Sequence, residues 1–109
     1  MDKEVKIEDV KQWVKTFCDD RDWDEPHTSK DLAIGLVTEA CELLEIFRFV
    51  PKSDEAKTIS EKNVAIADEL ADTLFFLLRF AERNGFDLSQ SLSRKLEKNV
   101  LRYPPKNRS

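Results

Sequence analysis

The sequence predicts an all-α protein of four helices. Apolar residues recur three and four positions apart along four segments, and no segment shows the sustained period-two alternation of a strand. Hydrophobic residues make up 40% of the 109 residues and charged residues 37%, which is typical of a helical globular domain rather than a disordered chain. We therefore expect one domain over residues 1–109, with a basic C-terminal tail at about 103–109.

The first two helices are predicted on either side of a polar loop. The first covers about Glu8–Asp20, and a loop follows at "DDRDWDEPHTS", where Pro interrupts a polar run. Ser29 or Asp31 is expected to cap the second helix, which continues to about Phe47. Pro51 and the "KSDE" after it predict a polar, disordered connection.

Capping signals delimit the last two helices. Thr58 and Glu61 have the spacing of a capping box at the start of the third helix, which is expected to end at Asn84–Gly85. A second capping signal at Asp87–Gln90 opens the fourth helix, which is expected to reach about Arg102.

An acid interrupts the apolar face of both central helices. At about 100° per residue, Leu32 and Ile46 lie about 20° to either side of Glu39. In the next helix Phe76 and Phe80 flank Glu69 in the same way. A second acid follows three positions after each of these two, and both border the apolar arc: Glu42 and Asp72.

This repeated acid pair predicts a site for a divalent cation. An unpaired buried carboxylate costs several kcal/mol, and residues three apart on a helix are neighbours that can present two carboxylates to one point. Mg²⁺ prefers such oxygen ligands. A single Glu-x-x-Glu would more simply be a solvated face or pair with Lys or Arg. A di-iron bundle would need Glu-x-x-His, and the single histidine, His27, falls in a loop.

The C-terminal segment is basic. Residues 94–108 contain six Lys or Arg and one acid, and Lys95, Asn99 and Arg102 share a helical face that Tyr103 adjoins. Cations in a last turn complement the helix dipole, but beside a metal site they also suit a polyphosphate. The sequence has no P-loop and no GxGxxG, so metal and side chains would have to hold any nucleotide.

Composition also restricts the partners. A net charge of −4 and a pI near 5.1 disfavour a nucleic acid polymer as partner. No apolar run has membrane-spanning length, and the N-terminal residues lack a signal-like segment. Cys18 and Cys41 are isolated, as expected of reduced thiols. We expect a cytoplasmic protein with neither a membrane nor a nucleic acid partner.

Four motifs in order carry a family resemblance: "RDWDEPH", "LVTEACELLEIF", "DELADTLFFL" and "KLEKNVLRYP". Together they resemble the MazG-like, all-α nucleoside triphosphate pyrophosphohydrolases, most closely the small dCTP pyrophosphatase branch, over about Val10 to Pro104. The resemblance implies a helical protomer that forms a dimer or a dimer of dimers. It also implies Mg²⁺, for which Mn²⁺ can substitute, and hydrolysis of (deoxy)nucleoside triphosphates to monophosphate and pyrophosphate, for house-cleaning or control of the dNTP pool.

The same resemblance assigns three groups of residues. The catalytic metal ligands would be the four acids, one of which would also orient the attacking water: Glu39, Glu42, Glu69 and Asp72. The phosphates would be held by the C-terminal stripe: Lys95, Asn99, Arg102 and Tyr103. The base and sugar pocket would be bordered by aromatic side chains: Trp23, His27, Phe49 and Phe76.

Three positions depart from the close branch. Phe49 stands where that branch often has Trp, Phe76 where it has Tyr, and Val14 where some relatives have His. Each change removes a hydrogen-bonding group, so the resemblance leaves the preferred base open.

Two other functions compete with hydrolysis. One is a non-catalytic nucleotide-binding or regulatory helical module, and the other is a structural oligomer whose acids form interhelical salt bridges. The presence of all four acids favours the hydrolase, since a degenerate binder would be expected to lose one. The structural oligomer would require basic residues opposite Glu39 and Glu69, where both helices are almost wholly apolar.

Overall fold

The computed structural model describes residues 1–107, which form five α-helices and one short 3-10 helix without any strand. The α-helices, with the 3-10 turn Lys52–Asp54 between the second and third, are α1 Ile7–Asp19, α2 Ser29–Phe47, α3 Glu55–Glu61, α4 Asn63–Asn84 and α5 Leu88–Arg102. The all-α prediction is confirmed, and the count of four helices is wrong. Arg108 and Ser109 of the predicted basic tail lie outside the described residues.

A reciprocal capping box starts α2. The Thr28 side chain accepts a hydrogen bond from the Asp31 backbone N–H at 3.1 Å, and the Asp31 carboxylate accepts one from the Thr28 N–H at 3.0 Å. The N-cap is therefore Thr28 rather than Ser29 or Asp31. Thr28 takes this role because its backbone is extended, whereas Ser29 is already helical.

The predicted third helix is divided in two at Lys62. The Thr58 hydroxyl lies within α3 and donates to the Asp54 carbonyl at 3.0 Å, so Thr58 is not an N-cap. The connection predicted to be disordered contains the 3-10 turn instead. The other two boundaries are confirmed: Gly85 ends α4 in the left-handed region at φ 74°, and Asp87 caps α5.

The α2–α4 pair is the most extensive helix contact, and α1 also packs against α4. Val14 and Cys18 from α1 pack on Leu78 from α4, with Trp23 and Phe75 at the edge of this small core. Because α2 and α4 lie side by side, their inward acids approach each other.

The chain exposes more surface than a compact monomer of its mass. Its accessible surface is 9014 Å², against roughly 6,200 Å² expected for 12.7 kDa. Its radius of gyration is 17.2 Å, against roughly 13 Å expected. Much of the excess is apolar, including Val37, Leu44, Leu70, Leu92 and Leu96. Within residues 1–107, no helix combines the length and the hydropathy that crossing a bilayer requires.

Candidate functional site

Three of the four predicted ligands converge between α2 and α4. Glu39, Glu69 and Asp72 each offer a carboxylate oxygen, and these oxygens all lie within 4.8 Å of one another. Glu39 and Glu69 are half-buried, whereas Asp72 is exposed. The cluster therefore has one side in the helix interface and one side open to solvent, as a site for a small ligand requires.

Glu42, the fourth predicted ligand, is exposed and stands outside that group of three. Its carboxyl nevertheless lies beside Glu39. Hydrogen bonding to Glu42 is the largest of the influences that raise the pKa of Glu39 to about 7, followed by desolvation and by hydrogen bonding to Glu69. Glu42, Glu69 and Asp72 are thus all close enough to Glu39 to affect its pKa.

The pKa of Glu69 is raised as well. Desolvation raises the pKa of Glu69 above its ordinary value, and the nearby carboxyls of Glu42 and Asp72 raise it further. Glu39 acts in the opposite direction on the Glu69 pKa, because a protonated Glu39 favours the charged form of Glu69. Desolvation and the neighbouring carboxyls of Glu42 and Asp72 are the causes that both glutamates share.

Each of these two glutamates has a buried oxygen without a partner. Across residues 1–107, neither Glu39 Oε2 nor Glu69 Oε2 accepts a hydrogen bond, and neither side chain forms an ion pair. The salt-bridged oligomer would need cations at these positions, and residues 1–107 of this chain place none there. Hard divalent cations prefer carboxylate oxygens as ligands. The two unpartnered oxygens and the exposed carboxylate of Asp72 could therefore hold a metal.

The raised pKa of Glu39 predicts a pH dependence of the metal-free fold. Because the folded state binds the proton more tightly than the unfolded state, its stabilising effect is complete below pH 4.5 and disappears as the pH rises through about 7. A divalent cation needs the deprotonated form, so the stabilisation by Mg²⁺ should grow over the same range. Thermal melting in EDTA and in excess Mg²⁺ from pH 5 to pH 8.5 measures both trends.

Asp68→Asn provides the control for this pH series. Asp68 precedes Glu69 on α4, is exposed and stands outside the cluster. The Asn variant should keep the parent's profile. A metal-free melting temperature that climbs steadily from pH 5 to pH 8.5 would contradict the assignment.

An apolar cavity of about 540 Å³ opens beside the same helix pair. Three of the four predicted base-pocket residues line it: Trp23, His27 and Phe76. Phe49 is 83% exposed, is not among the lining residues and lies under the Arg48 guanidinium. The structure thus gathers the first three and leaves Phe49 outside.

Gly35 also lines this cavity, although it is not among the residues predicted for the site. A Cβ atom at position 35 would overlap the Phe76 ring, so the glycine allows that ring to lie against α2. Phe76 in turn meets Phe75 edge-on, with centroids 5.4 Å apart. A glycine inside an otherwise good helix pattern was the signal that could have revealed this packing.

The predicted phosphate residues occupy a separate surface of the single chain. Lys95, Arg102 and Tyr103 are exposed on and just after α5, and Asn99 is half-buried. None of the four makes an ion pair or a side-chain hydrogen bond to the acidic cluster in the described part of the chain. These four residues lie on or just after α5, and the contacts do not join them to the acids.

The fold and the site define an all-α protein with an acidic cluster across a helix pair and an aromatic cavity beside it. Residues 34–109 match the sequence model of the MazG-like family. The chain belongs to the MazG-like family, which confirms the resemblance of its motifs.

Several known proteins are similar over most of this chain. It is 32% identical to dCTP pyrophosphatase 1 of Bos taurus and 30% identical to that of Homo sapiens, in each case over 103 residues. These matches cover 93% of this chain, which spans 61% of the length of those relatives. A crystallised pyrophosphatase from Archaeoglobus fulgidus has 33% identity and a TM-score of 0.85, with 91% of this chain and 93% of that chain covered.

Proposed function

We propose that residues 1–109 form one MazG-like domain of a Mg²⁺-dependent enzyme that hydrolyses (deoxy)nucleoside triphosphates to the monophosphate and pyrophosphate. The observation that carries the proposal is the pair of buried, unpartnered oxygens on Glu39 and Glu69, which meet Asp72 at the open side of the cluster. The similarity to proteins named dCTP pyrophosphatase and pyrophosphatase supports this reaction class. House-cleaning or control of the cytoplasmic dNTP pool is the role that fits it.

The four acids would hold the cation, with Mn²⁺ able to replace Mg²⁺. When bound, such a cation neutralises phosphate charge and lowers the pKa of water, which are the main needs of phosphoryl transfer. One of these four carboxylates would also orient the attacking water and accept its proton. Hydrogen bonding to Glu42 and desolvation raise the pKa of Glu39 to about 7, which supports proton transfer within the cluster near neutral pH.

The remaining predicted residues would bind the rest of the nucleotide. Trp23, His27 and Phe76 offer the base an aromatic cavity in which stacking, rather than many hydrogen bonds, supplies the affinity. The basic stripe on α5 would bind phosphate oxygens. Phe49 would contribute only if another chain or a bound ligand approached its exposed ring.

We also propose that the protein is a homodimer or homotetramer with its sites near the interface. The surface in excess of that of a compact monomer, about 2,800 Å² by the mass relation, is of the size that stable assemblies bury. Exposed leucines on α4 and α5 would supply the apolar part of that interface, and they include Leu70 and Leu96.

The direct test of the enzyme is product analysis. The protein should release pyrophosphate and a nucleoside monophosphate from at least one member of a panel of deoxynucleoside and ribonucleoside triphosphates with Mg²⁺. Excess EDTA should abolish the release, and restored Mg²⁺ should return it. Orthophosphate as the direct product would mean attack at the terminal phosphate and would contradict the mechanism. Mg²⁺-dependent binding without turnover would instead support the non-catalytic module.

A further inference from the structure

Two arginines of α4 face the loop that joins α1 to α2, residues 20–28. Arg79 and Arg83 are four residues apart and so lie on one side of the helix. The Arg79 side chain is only 3% exposed, and a guanidinium so deeply buried needs carboxylate partners. Glu82 supplies one at 2.7 Å, and Asp24 of the loop supplies another at 3.2 Å.

Asp24 is shared between both arginines. Its Oδ1 lies 3.2 Å from Arg79 Nη2 and 3.2 Å from Arg83 Nε. Arg83 also donates from Nη1 to the backbone carbonyl of His27. The two arginines therefore hold the loop at two points that are three residues apart in the sequence.

The held part of the loop forms one wall of the aromatic cavity. Trp23 precedes Asp24, and its ring meets the His27 ring edge-on at 5.5 Å and the Phe17 ring at 5.6 Å. The wall that faces them belongs to α2 and α4, including Gly35 and Phe76. The width of the cavity therefore depends on where the loop lies relative to these helices.

We propose that Asp24, Arg79 and Arg83 form a clamp that positions Trp23 and His27 for the base of a nucleotide. They are positioning residues: Asp24 and Arg83 do not line the cavity, and Arg79, which does line it, holds Asp24 and Glu82 with its guanidinium. The identity of the ligand rests on the proposed function, whereas the clamp itself rests only on the contacts above. The clamp governs ligand affinity and selectivity and leaves the chemistry at the acids unchanged.

Separation along α4 supports this division of roles. Arg79 lies seven residues beyond Asp72, which corresponds to about 10 Å of helix. A change at the loop can therefore alter how the base is held without displacing the acidic cluster. KM should respond more strongly than kcat.

The experiment compares Asp24→Asn with Glu25→Gln. Both residues are exposed and adjacent in the loop, and both changes remove one negative charge. Glu25 forms no ion pair within residues 1–107, so its variant is a matched control. Both changes are made in a Trp13→Phe background, which leaves Trp23 as the single tryptophan. Acrylamide quenching of Trp23 fluorescence then measures how accessible the loop is to solvent in the absence of nucleotide. Steady-state kinetics across the triphosphate panel measures how the cavity binds substrate.

Asp24→Asn should increase the quenching of Trp23 and raise KM for the preferred triphosphate by roughly tenfold, with kcat within about twofold. Glu25→Gln should match the parent in both measurements. Unchanged quenching in Asp24→Asn overturns the clamp, and so does increased quenching with an unchanged KM. If no triphosphate is hydrolysed, the proposed function fails, while the quenching comparison still decides whether the loop is held.

Arg83→Gln tests the same clamp by removing one of its two arginines on α4. Arg83 is 22% exposed, so its replacement does not leave a deeply buried cavity, yet it removes both the contact with Asp24 and the donor to His27. Quenching and KM should change in the same direction as in Asp24→Asn. A variant that folds and matches the parent in both measurements would overturn the clamp.

Discussion

Glu39→Gln should reduce pyrophosphate release by about 100-fold or more, while the metal-free protein melts at the same temperature as the parent or higher. Glutamine keeps the shape of Glu39 but removes one charge from a crowded group of acids. The same charge repels its neighbours when the site is empty and binds the cation when it is full. Activity and metal-free stability should therefore move in different directions.

The response to Mg²⁺ makes the test quantitative. At a Mg²⁺ concentration of 100 times Kd, binding stabilises the parent by about 2.7 kcal/mol, which corresponds to roughly 10 °C in a domain of this size. Glu39→Gln should lose most of that increase. The measurement is thermal melting of both proteins in EDTA and in excess Mg²⁺ at pH 7.5.

Glu45→Gln is the matched control for this substitution. Glu45 lies on the same helix, and its only ion pair in the described chain is an exposed contact of 3.6 Å with Arg48, which contributes little. This variant should keep both activity and the Mg²⁺ response. If Glu39→Gln melts lower in EDTA and gains as much from Mg²⁺ as the parent, Glu39 is a structural acid and the metal site is wrongly assigned.

Light scattering at micromolar concentration should give the mass of a dimer or tetramer, and Leu96→Glu should lower that mass. Leu96 is 54% exposed on α5 and lines a groove of about 730 Å³ that α5 forms with α1 and α4. Burying a leucine fully is worth about 2 kcal/mol. A glutamate there would lose this contribution and add a charge to desolvate, so dissociation should shift to concentrations at least 10-fold higher.

Gln90→Glu is the control for the assembly, because it adds the same charge to an exposed polar position of α5. It should leave the mass unchanged. A parent protein that is monomeric throughout the micromolar range would contradict the proposed assembly, whatever the variant does.

Local features of the structure follow from the sequence because they depend on neighbouring residues. The all-α class follows from the spacing of apolar side chains, and the left-handed turn at Gly85 follows from a residue without a Cβ atom. Asp87 caps α5 through a contact with the N–H of Gln90, three residues away. The interruption of two apolar faces by acids was likewise visible along single helices.

Contacts between distant residues were decided by the tertiary structure. Glu39 and Glu69 are 30 positions apart, and only the packing of α2 on α4 shows that their carboxyls meet, with no basic partner among the described residues 1–107. The spacing of apolar residues also failed to predict the helix break at Lys62 and the exposure of Phe49. Helical period reports which face of one helix is apolar, but not which element covers it.

The Arg79 guanidinium shows this limit most clearly. In the sequence it is a cation within an apolar run of α4, and its 3% exposure is possible only because Glu82 and Asp24 reach it. Glu82 is a neighbour on the helix, whereas Asp24 is 55 positions away and arrives with the loop. Because a buried charge is tolerated only with partners, the environment that decides its role exists only after the chain has folded.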